Sequence, residues 1–326
     1  MTTGKCPLCQ CTDAATIVRA GFNLTGVSHK TWRVVECRNC GMRYLDPMPN
    51  AEEMALCYGS DYPAYVTAKD HAGDSRQQAS IARRFQQVAE LRCRFLRDHV
   101  PDFTARGPVL DVGCGNGAFI TEILSRTGLE CWGLDIETAP RLELPTSRSL
   151  RLVKGDLQTD RLPTSYFGLI TFWHSLEHEA DPVGMLKSAS RLLRPGGAIV
   201  AEVPNSAGLI AGLCGASWLG WDLPRHRVHF TSATLRRTAR LVGLCNIRVQ
   251  HHYTLNPICL SPILASLSMW RQERRGRKRF KLPNYCRWDS AERFLKSINA
   301  FERLLGGNGL VLIARADSVG VHRSAA

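Results

Sequence analysis

A chain of 326 residues, 44% of them hydrophobic, is long enough to bury a large core and too apolar to stay disordered. Its 42 Lys and Arg against 29 Asp and Glu leave a formal charge of +13 and a pI near 9.4. That balance suits an anionic partner, whether nucleic acid, a membrane surface or a phosphorylated substrate, and an arginine-rich solvated surface accounts for it equally well. No apolar run approaches the ~20 residues of a spanning helix, and the first residues carry no signal-peptide core. Thirteen cysteines, an odd number, would mispair in an oxidising compartment. The expected location is therefore the cytoplasm, with peripheral contact at the inner membrane surface as its variant.

The first feature along the chain is a pair of C-x-x-C motifs, Cys6-Pro7-Leu8-Cys9 and Cys37-Arg38-Asn39-Cys40, separated by enough residues for a hairpin. This is zinc-ribbon spacing. Four thiolates enclose Zn²⁺ tetrahedrally with no open position, so Cys6, Cys9, Cys37 and Cys40 are expected to hold a structural metal, with Cys11 as a substitute ligand. Four ordinary buried cysteines are the alternative. Pro47 and Pro49 lead out of this module. From Ser75 to Val100, Ile81, Phe85, Val88, Leu91 and Phe95 recur at helical spacing, which predicts an amphipathic helix stopped by Pro101. Tyr58, Tyr62 and Tyr65 precede it, and Tyr62 is a candidate acceptor contact, with a surface-turn role as the competing explanation.

The run from Pro108 to Ile120 reads as a strand, a glycine loop and the start of a helix. Gly113, Gly115 and Gly117 let a ligand lie against the main chain, and the helix behind them turns unpaired N–H groups toward it. The loop also satisfies a dinucleotide fingerprint, with Asp135 at about the expected ~20-residue distance. Acids at three successive strand ends, Asp111, Asp135 and Asp156, decide between the ligands. Carboxylates suit hydroxyls, an ammonium and an exocyclic amine better than a pyrophosphate, and S-adenosylmethionine carries all three. Predicted strands at 108–112, 130–134, 150–153, 167–172 and 198–203 alternate with helices, and two more follow at 245–250 and 309–316. Such alternation gives a parallel sheet covered on both faces, with ligands at the strands' carboxyl ends.

The run Val109 to Ala118, then Gly133-Leu134-Asp135, Gly155-Asp156-Leu157, His174-Ser175-Leu176-Glu177-His178 and Leu193-Arg194-Pro195-Gly196-Gly197 resembles the class I S-adenosylmethionine-dependent methyltransferases in order and spacing. With the paired cysteines in front and Leu223-Pro224-Arg225-His226-Arg227-Val228-His229-Phe230 behind, it is most similar to the branch with an N-terminal zinc-binding module. The resemblance implies an α/β, Rossmann-like, doubly wound and mostly parallel seven-stranded sheet with an antiparallel last strand. It implies that Asp111, Gly113, Cys114, Gly115, Asn116 and Gly117 face the methionine part of the cofactor. Asp135 and Ile136 would face the ribose and adenine, Asp156 and Leu157 the adenine edge, and Trp173 the neighbouring strand end. Gly168 departs from the branch, which usually has an acid there; the position is away from the ligand, and little functional effect is expected.

His174, Glu177 and His178 end the fourth core strand, where the methyl group should emerge. Methyl transfer from a sulfonium is an in-line displacement governed by positioning, and a base is needed only where the acceptor loses a proton early. His174 and His178 are candidate bases with Glu177 as orienter, and a structural cap for the helix near Asp181 is the competing role for His178. In the basic, aromatic loop after the fifth strand, Arg225 and His229 are candidate acceptor contacts and His226 a candidate base. Apolar residues 256–270 followed by the basic run 271–281 have the pattern of a helix on an anionic membrane, and equally of an RNA contact or a solvated loop.

The expected organisation is a zinc ribbon at 1–50, a loop and helical lid at 51–106, the methyltransferase core at 107–253, a helical insertion at 254–305, the last core strand at 306–318 and a tail at 319–326. The expected activity is methyl transfer to a small-molecule acceptor, a sugar or carrier-linked sugar foremost. The alternatives are an RNA base methyltransferase and a non-catalytic cofactor-binding protein.

Overall fold

The computed structural model describes residues 4–20, 32–58, 75–136, 148–157, 162–252 and 308–318. Tyr62, the segment 256–281 and the tail from 319 lie outside these residues. In chain order the described elements are β1 (Ala14–Ala20), β2 (Trp32–Cys37), β3 (Arg43–Leu45), α1 (Ala51–Ala55), α2 (Ser75–His99), β4 (Val109–Val112), α3 (Ala118–Thr127), β5 (Cys131–Asp135) and β6 (Leu150–Lys154). They continue with β7 (Phe167–Trp173), α4 (Pro182–Leu192), β8 (Leu193–Pro204), α5 (Leu209–Cys214), β9 (Val228–His229), α6 (Ser232–Leu241), β10 (Cys245–His252) and β11 (Gly309–Arg315).

Seven strands form one sheet in the order β10-β11-β8-β7-β4-β5-β6. The pairs from β8 to β6 are parallel, and β11 runs antiparallel to both of its neighbours. Successive strand residues point to opposite faces. Val109, Leu169, Val200 and Ile313 accordingly pack with Leu96 of α2 and Phe119 and Ile123 of α3 on one side. Leu110, Ile170, Ile199 and Leu312 pack with Leu186 of α4 and Leu235 of α6 on the other. Burial on both faces is why these strands read as continuous apolar runs. Thr231 and Thr234 close a capping box on α6, and Asp181, rather than His178, caps α4 by accepting from the Gly184 N–H. Gly168 has a packing reason: a Cβ there would stand 2.4 Å from the Arg106 carbonyl.

A second sheet, β1-β2-β3-β9, carries the cysteine pairs. Its fourth strand comes from the loop between β8 and α6: Arg43 and Tyr44 pair with His229 and Val228, and the Leu45 N–H donates to the Arg227 carbonyl at 3.0 Å. Cys6, Leu8, Cys37, Met42 and Tyr44 share one apolar cluster with Val228, Phe230 and the large sheet. The cysteine-bearing segment is thus packed directly on the loop that holds His226 and His229. Among the described residues, no helix is long and apolar enough to cross a membrane.

Candidate active site

The carboxyl ends of β4, β5, β6 and β7 form the floor of the site. Leaving β4, Gly113 turns with φ +74°, and a Cβ on it would come within 2.6 Å of the Ser175 Cβ, so glycine is required by close approach as well as by conformation. The Ser175 hydroxyl donates to the Val112 carbonyl at 2.6 Å, tying the β7 exit to the glycine loop. The Gly115 N–H donates to Asp135 Oδ2 at 2.8 Å, so the acid at the tip of β5 also fixes the loop. Asn116 accepts from the Ala118 N–H at 3.1 Å and orders the start of α3. Cys114 turns its sulfur onto Gly133, where a Cβ would lie 2.9 Å from it. Leu157 is buried, Asp156 is exposed, and Ile136 stands 51% exposed beside Asp135, an apolar surface left open at the strand tips.

Asp111 is buried and accepts from the Thr171 hydroxyl at 2.7 Å. Burial, helped by the Asp135 charge, pushes its pKa up to about 7 against the Thr171 hydrogen bond and Arg92. Arg92 of α2 is a site residue that sequence reasoning missed. Its guanidinium lies 5.0 Å over the Trp173 ring and interacts with Asp111 and Glu202. The available signal was an arginine on the buried stripe that includes Ala89, Cys93 and Leu96. Arg92 Nε and Trp173 Nε1 are buried donors with no partner among the described residues. Unpaired donors at that depth are costly, and a ligand carboxylate would satisfy them. Together with the carboxylate row and exposed Ile136, they fit S-adenosylmethionine.

The end of β7 carries a second constellation. His174 adopts φ +58°, a left-handed conformation unusual for a side-chain-bearing residue and one that recurs at functional sites. Its Nδ1 is 3.1 Å from Glu177 Oε1 and its Nε2 is 3.6 Å from Glu202 Oε1. Burial lowers its pKa, but the Glu202 and Glu177 carboxylates outweigh that and raise it to about 10. His178 receives Tyr58, whose hydroxyl is 2.8 Å from Nδ1, and stacks edge-on against His226 with centroids 4.8 Å apart. Burial, reinforced by the neighbouring His226 ring and the Arg225 guanidinium, holds the His178 pKa well below its ordinary value.

His226 Nδ1 is 2.9 Å from the Gly220 carbonyl. A carbonyl only accepts, so this nitrogen carries the proton and Nε2 keeps its lone pair in the neutral ring. That Nε2 lies 3.8 Å from Glu177 Oε1 and 3.7 Å from Asp222 Oδ2. His229 sits one layer behind against Trp221, fully enclosed, and burial holds its pKa well below the ordinary value. Arg225 is buried and bound within its own loop to Asp222 Oδ1 at 2.7 Å. The fold therefore gathers His174, Glu177, His178 and His226, adds Tyr58, Glu202 and Asp222, and sets His229 behind them. Glu202 announced itself as an acid inside the apolar run Ile199 to Val203, and Tyr58 as one of three tyrosines ahead of α2; Asp222 had no comparable signal.

In the small sheet, one sulfur from each of Cys6, Cys9, Cys37 and Cys40 lies within 4.8 Å of the others, with Cys6–Cys40 and Cys9–Cys37 both at 3.5 Å. Zinc–sulfur bonds of ~2.3 Å in a tetrahedron put sulfurs about 3.8 Å apart, so this donor set fits zinc.

A family model described as a methyltransferase domain matches residues 81–249, just over half of the chain. The chain belongs to the class I S-adenosylmethionine-dependent methyltransferases. Among curated relatives of this methyltransferase, the ubiquinone biosynthesis O-methyltransferase of Methylococcus capsulatus is 29% identical over 170 residues, covering 48% of the chain and 70% of the relative. Its counterpart from Pseudomonas paraeruginosa is 29% identical over 126 residues, covering 36% of the chain and 53% of the relative. A solved S-adenosylmethionine-dependent methyltransferase from Archaeoglobus fulgidus is 21% identical and covers 70% of the chain and 94% of its own length, with a TM-score of 0.45.

Proposed function

We propose that this methyltransferase moves a methyl group from S-adenosylmethionine to an oxygen of a small-molecule acceptor seated at His178 and His226. The observation that carries the reading is the imidazole cluster at the β7 exit, which is tied through Ser175 to the glycine loop. Curated relatives named as O-methyltransferases support oxygen as the acceptor atom. When bound, the cofactor supplies an electrophilic methyl group on a sulfonium. Asp135, Ile136, Asp156 and Leu157 would hold its nucleoside, while Gly113 to Gly117, Asp111, Trp173 and Arg92 would hold its methionine end.

Positioning dominates such a displacement. His174, enclosed by two carboxylates, has no free lone pair and is assigned to holding Glu177; His178 and His226 handle the acceptor. A sugar hydroxyl, bare or carrier-linked, suits this polar, aromatic-walled cluster. Zinc on Cys6, Cys9, Cys37 and Cys40 is assigned a structural role. The RNA and membrane readings rest on net charge and on residues 256–281, outside the described region. The test is transfer of labelled methyl to a panel of phenols, sugars and nucleotide-linked sugars. An O-methylated product supports the reading; an N- or C-methylated product overturns the assignment of oxygen.

A further inference from the structure

Glu177, His178 and His226 each place one potential ligand atom within 4.8 Å of the other two, remote in sequence from the four cysteines. Glu177 is 1% exposed, and its Oε2 has no hydrogen-bond partner among the described residues. A buried, unpartnered carboxylate oxygen is costly unless a cation or donor reaches it. His174 stands between Glu177 and Glu202, and even carrying both protons it offers one positive charge to two carboxylates. Arg225 is matched by Asp222. Arg92 also faces Glu202, so what is left wanting is Glu177 Oε2, which no hydrogen-bond donor among the described residues reaches.

His226 repeats the argument. With its proton fixed on Nδ1 by Gly220, the Nε2 lone pair faces carboxylate oxygens at 3.7 and 3.8 Å, beyond hydrogen-bond reach. A lone pair directed at anionic oxygens calls for positive charge between them. All three candidate ligands also have the outer partner that metal ligands characteristically have. Tyr58 holds His178 Nδ1, the Gly220 carbonyl holds His226 Nδ1, and His174 holds Glu177 Oε1.

We propose that Glu177, His178 and His226 form a second metal site, taking a divalent first-row cation of the Mn²⁺ type, on which the acceptor oxygen is seated. Two imidazoles and one carboxylate suit such cations and leave coordination positions open, unlike the closed, soft four-thiolate set. The inference rests on the acceptor-site reading above and deepens it. An acceptor hydroxyl on the cation is acidified and loses its proton to solvent. Its oxygen pair then forms the bond to the methyl carbon as the carbon–sulfur bond breaks, with that bond's pair returning to sulfur. A hydroxyl beside a second oxygen, able to chelate, is the acceptor class this favours.

The test is a Mn²⁺ titration of the zinc-loaded full chain followed by electron paramagnetic resonance, with zinc counted in parallel. One Mn²⁺ per chain is expected beside one zinc, with Mn²⁺ affinity at least tenfold weaker in His226→Ala and in Glu177→Gln while zinc content and cofactor affinity hold. Absence of saturable Mn²⁺ binding, or equal binding in a folded His226→Ala protein, overturns the proposal. Methyl transfer that persists after Mn²⁺ is stripped also overturns it and leaves the acceptor site standing. Mn²⁺ bound as described, with no acceptor oxygen ever methylated, supports the metal site and sinks the acceptor reading instead.

Discussion

The side chains that distinguish this site are charges inside apolar runs. Arg92 lies on the buried stripe of α2 and Glu202 near the carboxyl end of β8, and each is legible in the sequence as a polar residue where the period demands an apolar one. His226 was legible only as one of the two histidines in its loop, because the fixing of its tautomer depends on a carbonyl six residues away that no spacing rule anticipates. Replacing His226 with alanine should lower turnover by about 10²-fold or more while cofactor affinity stays within about twofold. Stopped-flow turnover beside calorimetry separates the two, and wild-type turnover would remove His226 from the site.

Asp111 makes a prediction of a different kind. Its folded pKa near 7 is above its unfolded value, so the folded state keeps a proton that the unfolded state has released. Its contribution to stability is therefore lost as pH rises through the window from about 4 to 7. Denaturation midpoints across that window should fall less steeply for Asp111→Asn than for the parent chain, and identical slopes would contradict the assignment. At Gly168, alanine should cost about 1–3 kcal/mol, because the Arg106 backbone cannot yield as a flexible side chain would. Urea denaturation measures this, and a neutral result would show that the Arg106 turn relaxes.

At the scale of elements, the core strands and α2 were legible to within a few residues because each is a long periodic or fully apolar run bounded by breakers. The union of the cysteine-bearing sheet with the acceptor loop was not. Its join is β9, two residues long, paired with β3 across most of the chain's length, and nothing local marks so short a strand. Arg43 reinforces the join, donating to the Ser206 carbonyl at 2.5 Å and to Glu36 at 2.7 Å. Loss of the zinc proposed at the four cysteines should therefore reach His226 and His229 through the backbone. Cys37→Ser should lose zinc, expose β9 amides to hydrogen exchange and weaken acceptor binding more than cofactor binding. Unchanged β9 protection in the metal-free variant would mean that the join holds by packing alone.

For the molecule as a whole, composition bounded class and size but left the partner open, since a charge of +13 is compatible with RNA, membrane and solvent alike. The family and its cofactor were legible because several motifs fall in order at successive strand ends; the acceptor was not, because loops of irregular backbone build its site. The most direct test of the central claim is transfer of labelled methyl from S-adenosylmethionine in the presence of both a hydroxylated small-molecule panel and total RNA, at low and physiological salt. The account predicts label on a small-molecule oxygen, nearly independent of salt and lost in His226→Ala. Label in RNA, falling steeply as salt rises, would contradict it.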